Sequence, residues 1–225
     1  MNYTLIVLGI VVAILIYVLY LYFSDDSQQV TDYHNCNDSA MVIQEKDLKQ
    51  HSSSRYAYGM WVYVNSWSSN QPKIVFERSG SLSVALLGQT PTLQVKIMET
   101  GGNPHTITVT NNFPIQKWVY IVVSVDHTLV DTYLDGKLVK SHQVTLPPSS
   151  SGSQAPTIAT PEGTLTSGKF DAYIARFKRW SHPINPQTVY DEYMKGNGQG
   201  SMIGAYGVDV SVLKDNIEQR KFSLL

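Results

Sequence analysis

The stretch VDTYLDGKLVKS, residues 130–141, decides the fold, because an Asp–Gly pair stands between two short alternating segments. A two-residue type I′ turn needs a positive φ at both central positions, which Gly adopts freely and Asp tolerates. With Asp135 and Gly136 at these positions, the turn sets the cross-strand pairs that flank it. These pairs are Leu134 with Lys137, Tyr133 with Leu138, Thr132 with Val139 and Asp131 with Lys140. The cluster is therefore interpreted as the corner of a hairpin, and neither as a metal ligand nor as a catalytic acid.

Short segments rich in aromatic and β-branched residues occur on both sides of the hairpin, with turn residues between them. The strands predicted in this way cover residues 56–64, 73–78, 81–87, 92–98, 106–110, 117–126 and 170–180. The segment 146–168 is rich in Pro, Ser, Gly and Thr, which predicts a long loop with one short strand near Ile158. Many short strands with little helix predict an antiparallel sandwich.

One helix is predicted after the last of these strands. Asn185 is predicted as the N-cap, and Pro186, which has no N–H, as the first helical residue. Gly196 is predicted to end the helix. Apolar residues recur between these limits at the spacing of a single helical face. The adjacent acids Asp191 and Glu192 are expected on the solvated side of this helix.

The N-terminal segment TLIVLGIVVAILIYVLYLYF, residues 4–23, carries no charge. At about 1.5 Å per residue such a helix spans about 30 Å, the hydrocarbon thickness of a bilayer. A cleaved signal peptide fits less well, because no basic residue precedes the segment and no small-residue cleavage site follows it. Residues 1–24 are therefore predicted to be a single-pass anchor that inserts in the lipid bilayer through residues 4–23. The polar residues 25–39 are predicted to be a linker.

The charge and cysteine content exclude two classes of protein. The chain has 17 basic and 18 acidic residues, so it lacks the basic excess of a nucleic-acid-binding domain. Its single cysteine, Cys36, excludes an intrachain disulfide and with it a disulfide-stapled secreted scaffold.

Three blocks of the sequence resemble the laminin-G-like, concanavalin A-like jelly-roll family. They are YAYGMWVYVNSW (56–67), FPIQKWVYIVVSVDHTLVDTYLDGKLVKS (113–141) and FDAYIARFKRWSHPINPQTVYDEYMKG (170–196). The resemblance implies a sandwich over residues 40–196, with a core that includes Trp61, Trp118, Phe170, Ile174 and Trp180. The expected fold class is all-β, an antiparallel two-sheet jelly roll with one N-terminal transmembrane helix and one short C-terminal helix.

A second resemblance concerns the C-terminal arm, residues 197–225. The segment YGVDVSVLKDNIEQRKFSLL (206–225), after the Gly-rich GNGQGSMIGAYG, resembles structural virion proteins of large double-stranded DNA viruses of algae and amoebae. This resemblance implies a minor capsid protein that tethers a viral shell to the internal membrane. Its partners would be other capsid or membrane proteins, and the arm would pack on the sandwich or on a neighbour.

No motif for catalysis or for a cofactor appears in the sequence. The E-x-D-x-x-E strand by which some relatives of this fold hydrolyse β-glucans is absent, and the histidines lack zinc-binding spacing. Phosphate-binding and EF-hand loops are absent as well. The chain is therefore not expected to be an enzyme or to bind a cofactor.

Three weaker signals leave binding functions open. Asp126 and Asp131 bracket a loop at which calcium could bind, although calcium needs six to eight oxygen ligands. Trp67 is the candidate platform for a glycan, with packing over a sandwich edge as the preferred alternative. The basic segment RFKRW, 176–180, is interpreted as a solvated outer face, with an acidic partner or lipid head groups as the alternative. The alternative function is accordingly a membrane-anchored, lectin-like carbohydrate-binding module.

Overall fold

Two six-stranded antiparallel sheets form the body of the protein in the computed structural model. The structure describes residues 3–23, 27–48, 55–67, 71–78, 80–100, 102–145, 161–165, 170–198, 209–214 and 217–223. Sheet A has the strand order β1-β12-β3-β8-β9-β10 and sheet B the order β2-β11-β4-β5-β6-β7. The predicted all-β antiparallel sandwich is confirmed.

The strands of sheet A are β1 (Ser27–Asn35), β3 (Arg55–Val64), β8 (Trp118–Asp126), β9 (Leu129–Leu134), β10 (Lys137–Gln143) and β12 (Ala172–Trp180). The strands of sheet B are β2 (Met41–Gln44), β4 (Lys73–Arg78), β5 (Leu82–Leu86), β6 (Leu93–Met98), β7 (Pro104–Thr110) and β11 (Pro161–Leu165). The remaining elements are helices α1 (Tyr3–Phe23) and α2 (Pro186–Met194), a 3₁₀ turn (Glu45–Asp47), and the hairpin strands β13 (Asp209–Lys214) and β14 (Ile217–Ser223).

The main core lies between the two sheets, because each strand alternates its side chains between two faces. On β3, Tyr58, Met60 and Val62 face sheet B and are almost completely buried. Fully burying one such side chain contributes roughly 1.5–3 kcal/mol. Of the predicted core residues, Phe170 and Ile174 belong to this layer.

Helix α2 covers part of the outer face of sheet A and creates a second, smaller core. Trp61, Trp180 and Val189 are buried there, whereas Trp118 only packs against its margin and stays partly exposed. The predicted cap is confirmed, since Asn185 Oδ1 accepts a hydrogen bond from the Thr188 N–H at 2.8 Å. Gly196 follows the helix with a φ of +70°, the conformation expected just beyond a helix end.

The turn of the 130–141 hairpin has the predicted geometry, with φ of +47° at Asp135 and +79° at Gly136. The Asp135 N–H donates to the Tyr120 carbonyl and Asp135 Oδ1 accepts from the Tyr120 N–H, both at 2.9 Å. These bonds tie the turn to strand β8. Asp135 therefore has a structural function at this corner.

The predicted hairpin register is correct for two pairs and wrong beyond them. Leu138 opposes Tyr133, but a bulge at Val139 shifts the next pairs, so that Lys140 opposes Thr132. The predicted Asp131–Lys140 charge pair does not form, since Asp131 opposes Ser141. Strand β10 is an edge strand with mostly exposed side chains, and bulges concentrate at sheet edges, where no second neighbour fixes the register.

The predicted linker, residues 25–39, is wrong over Ser27–Asn35. This segment is edge strand β1 and pairs antiparallel with β12. Most of its side chains are polar and none is fully buried, although Val30 packs against the main core, which is typical of an edge strand held largely by main-chain hydrogen bonds. Cys36, which follows it, is completely buried in the main core, and burial raises the pKa of its thiol to about 12.

The two ends of the chain form elements of their own. In α1 the apolar side chains described over 7–20 are exposed. Among the residues whose placement is described, no helix combines the length and the hydropathy that crossing a membrane requires.

Within the C-terminal arm, β13 and β14 pair with each other as a two-stranded sheet. The predicted strand near Ile158 falls outside the described residues, and the short strand of this region is β11, between β2 and β4.

The basic segment 176–180 contacts α2 and is not a solvated face. Lys178 Nζ donates to Glu192 Oε2 at 2.8 Å, and both side chains are nearly buried. Arg176 Nη1 donates to the carbonyls of Lys195 and Gly196 at 2.9 and 3.1 Å, where α2 ends. The expected solvated position of Glu192 is therefore wrong, because its carboxylate is the partner of Lys178.

We expect Gly136→Ala to lower the free energy of unfolding more than Gly102→Ala does. Both glycines have a φ near +80°, where a non-glycine residue costs about 1–2 kcal/mol. A Cβ at Gly136 would also lie 3.2 Å from Tyr190 and 3.3 Å from Tyr193, whereas a Cβ at Gly102 meets nothing within 4 Å. Urea unfolding of both variants checks this, and equal losses would show that α2 does not constrain the turn.

We expect Glu192→Gln to destabilise the protein by about 2 kcal/mol at neutral pH, through loss of charge-assisted hydrogen bonds. Burial alone would raise the pKa of Glu192, but the hydrogen bonds and charges of Lys178 and Lys195 outweigh it and lower that pKa. A carboxyl group with a lowered pKa stabilises the fold above its unfolded-state pKa, and this contribution disappears as the pH falls through the folded-state pKa.

The stability difference between wild type and Glu192→Gln should therefore shrink below about pH 4.5. Urea unfolding from pH 3 to pH 7 measures it, with Asp191→Asn, an exposed carboxylate on the same helix, as the control. A difference that does not change with pH would contradict the ion-pair explanation.

Candidate functional site

A row of four aromatic side chains crosses the outer face of sheet A, and we call it the aromatic row. It consists of Tyr33 on β1, Tyr173 on β12, Tyr63 on β3 and Trp118 on β8. The ring centroids of successive members are 5.6, 6.3 and 5.4 Å apart. Tyr33 is 46% exposed and the other three are partly exposed, so the row is open to solvent.

Strand register brings the row together. Tyr173 is the direct cross-strand partner of Tyr63, and Tyr63 is the partner of Trp118. Tyr33 lies on the edge strand and stacks on Tyr173 with an angle of 22° between their rings. Burial and then the neighbouring Tyr173 phenol raise the pKa of Tyr33, so its hydroxyl remains a hydrogen-bond donor at neutral pH.

A polar cluster lies beside the two central members of the aromatic row, where β3 ends and β12 begins. Asp171 Oδ2 accepts hydrogen bonds from Ser66 Oγ at 2.5 Å and from Asn65 Nδ2 at 2.8 Å. These bonds, Ser66 first and Asn65 second, lower the pKa of Asp171, which is therefore ionised at neutral pH. Asn65 and Asp171 lie two residues from Tyr63 and Tyr173, so acceptors, donors and aromatic rings share one edge of the surface.

None of the residues in the aromatic row belongs to a sequence motif that predicts a binding site. Tyr63 and Tyr173 lie in alternating segments that the sequence predicts as strands, and this alternation is the one sequence signal that could have indicated them. Their position next to each other depends on the pairing register of the two strands. Tyr33 lies in the segment predicted as a linker, so the sequence does not predict the edge strand β1 that carries it.

Trp67, the predicted glycan platform, follows Ser66 of the polar cluster in the chain and is partly buried. It packs against the main core, and Lys73 Nζ lies 4.2 Å from the centroid of its ring. One face of the indole is therefore covered by an ammonium group and is not available to a sugar. This contact agrees with packing over the sandwich edge, and the glycan contact of Trp67 stays a prediction.

The two acids considered for calcium belong to no metal-binding cluster in the described part of the chain. Asp126 Oδ1 accepts from Arg55 Nε at 2.8 Å and lies 2.9 Å from His127 Nδ1. The hydrogen bond with His127, together with that of Arg55, lowers the pKa of Asp126. Asp131 lies on the neighbouring strand, and among the described residues no group of three or more His, Cys, Asp or Glu side chains is arranged to hold a metal.

Two solved structures with the same fold are binding domains of clostridial toxins. The binding domain of Paraclostridial mosquitocidal protein 1 has a TM-score of 0.55 and 12% identity, over 75% of this chain and 45% of that chain. The binding domain of botulinum neurotoxin DC, in complex with rat synaptotagmin II, has a TM-score of 0.51 and 13% identity, over 69% of this chain and 39% of that chain.

A structure of botulinum neurotoxin type C, whose cell entry is described as dependent on two ganglioside molecules, has a TM-score of 0.51 and 12% identity. The match covers 75% of this chain and 46% of that chain. The chain thus spans less than half the length of these three structures, and at such identities the likeness shows the fold alone.

No curated protein matches the sequence. The family described as the concanavalin A-like lectin/glucanases superfamily, a laminin-G-type domain, matches residues 35–190. This range includes the two sheets from β2 to β12 and the first part of α2. The chain belongs to this family.

Proposed function

We propose that this protein is a glycan-binding module and that the aromatic row, with the Asp171 cluster beside its central members, is the binding surface. The observation that carries the proposal is the line of four solvent-open rings beside an ionised carboxylate. Aromatic rings pack against the C–H faces of sugars, while carboxylates and amides bind their hydroxyls in a fixed geometry.

The family supports this proposal, because its description covers lectins as well as glucanases. The ganglioside named for the botulinum type C structure is a glycolipid, which is a property of that toxin and an analogy for this chain. We further propose that the module binds without turnover, since the sequence lacks the E-x-D-x-x-E strand of the glucan hydrolases.

We also propose that α1 anchors the module in a membrane; the proposal rests on the sequence of this helix, since no helix among the described residues meets the length and hydropathy of a membrane span. Its backbone is helical over Tyr3–Phe23, its sequence is uncharged, and its described apolar side chains point to solvent on all sides. A helix that is apolar all round is stable where its surroundings are apolar too. The viral shell and the internal virion membrane, predicted from the C-terminal arm, remain predictions that neither the family nor the similar structures support.

Binding of the full chain to a glycan array should identify a ligand that depends on the aromatic row. We expect Tyr33→Ala and Tyr173→Ala each to weaken binding about tenfold, the equivalent of about 1.4 kcal/mol. Tyr190→Ala is the matched control, because Tyr190 is equally exposed but lies on α2. Trp67→Ala should leave the affinity unchanged. An array without any retained glycan, or variants that bind like wild type, would reject this surface.

Membrane fractionation tests the anchor. We expect the full chain to stay with membranes in 1 M salt and in alkaline carbonate and to leave them only in detergent, because about twenty apolar residues would be inserted. A chain that begins at Ser27 is the control and should stay in the soluble fraction. Release of the full chain by salt alone would show that its membrane contact is electrostatic or absent.

A further inference from the structure

A cleft of about 330 Å³ lies on the outer face of sheet A, at the other end of the strands that carry the aromatic row. We call it the α2 cleft, because the segment 183–186 that leads into α2 forms one wall. Ser124 of β8, Asp131 and Tyr133 of β9 and Leu138 of β10 line the cleft along the sheet, together with Leu129 and Arg55. The proposed glycan surface does not include any of these residues.

Asp131 is the unmatched charge of the cleft. Its Oδ1 is buried and has no hydrogen-bond partner among the described residues. The other polar groups of the cleft are engaged, since Asp126 accepts from Arg55 and Ser124 Oγ accepts from the Ile184 N–H at 3.1 Å. A buried carboxylate oxygen without a donor is costly, and a donor that enters the cleft removes this cost.

The cleft combines the Asp131 carboxylate with an apolar rim, and the Arg55 guanidinium that also lines it is paired with Asp126. Burial, followed by the negative charge of Asp131, raises the pKa of Tyr133 on the same face of β9. The rim is apolar, with Leu129 42% and Leu138 50% exposed. A ligand that matches both features carries a positive N–H donor on a short apolar stem.

We propose that the α2 cleft binds an alkylammonium or guanidinium group, as a free amine or as a Lys or Arg side chain of a partner protein. The cation donates hydrogen bonds to the Asp131 carboxylate, and its methylene stem packs between Leu138 and Pro183. Rotation about the terminal torsion of aspartate is broad, so either carboxylate oxygen can turn to the ligand. Charge-assisted bonds of this kind are about twice as strong as neutral ones.

The test uses the full chain in non-ionic detergent and ligand-observed NMR titrations with four probes. Butylammonium and butylguanidinium should bind with a Kd on the order of 1 mM, weaker at higher salt. Tetramethylammonium, which has the charge without an N–H, and butanol, which has the stem without the charge, should bind at least tenfold more weakly. Equal binding of all four probes would overturn the proposal.

Two variants and a control assign the binding to the cleft. Asp131→Asn keeps the shape of the side chain and should weaken butylammonium binding at least tenfold, whereas Asp191→Asn, an exposed acid on α2, should leave it unchanged. Leu138→Lys places a cation at the exposed rim and should abolish binding without affecting the core. Wild-type affinity in Asp131→Asn or in Leu138→Lys would overturn the proposal.

A last comparison distinguishes the two sources of the cation. The blocked tripeptide acetyl-Ala-Lys-Ala-amide presents the same ammonium group on a peptide backbone. Tighter binding than butylammonium identifies a side chain of a partner protein, and equal or weaker binding identifies a free amine. If neither probe binds to the wild-type chain, the cleft is not a cation site, whatever the glycan array shows.

Discussion

The β-bulge at Arg176 is the feature on which the arrangement of sheet A depends. Arg176 and Phe177 together lie opposite Met60 of β3. Beyond this point the side chains of β12 therefore face the opposite sides of the sheet from those that an uninterrupted strand would give. Before the bulge Ile174 faces the main core, and after it Phe177 does so, while Lys178 and Trp180 face α2. An uninterrupted strand would turn Phe177 to the outer face and Trp180 to the inner one.

The bulge and α2 stabilise each other. Arg176 has a φ of +47°, a conformation that costs roughly 1–2 kcal/mol for a residue with a side chain. In this position its guanidinium reaches two carbonyls at the end of α2, groups that a helix leaves without internal partners. Trp180 fills the space over Gly59, where a Cβ would lie 3.0 Å from the indole and 2.7 Å from the Tyr120 hydroxyl. A glycine at this position of β3 therefore permits the second core.

The sequence predicts the elements that local chemistry determines and misses those that register determines. The Asp135–Gly136 turn and the Asn185 cap depend on a few neighbouring residues, and both are confirmed. The bulge at Val139 and the pairing of β1 depend on distant strands, and no local pattern encodes them. The candidate site was missed for the same reason, since Tyr33, Tyr63 and Tyr173 are separated in sequence and meet only through strand pairing.

The position of α2 divides the outer face of sheet A into two surfaces. On β8, Trp118 belongs to the aromatic row, Tyr120 and Val122 lie beneath the helix layer, and Asp126 lies in the α2 cleft. Eight residues of strand at about 3.3 Å each place the two ends roughly 26 Å apart. Because sites so far apart share no contacts, substitutions at one should leave binding at the other nearly unchanged. The proposed glycan surface and the proposed cation cleft are therefore far enough apart to act independently.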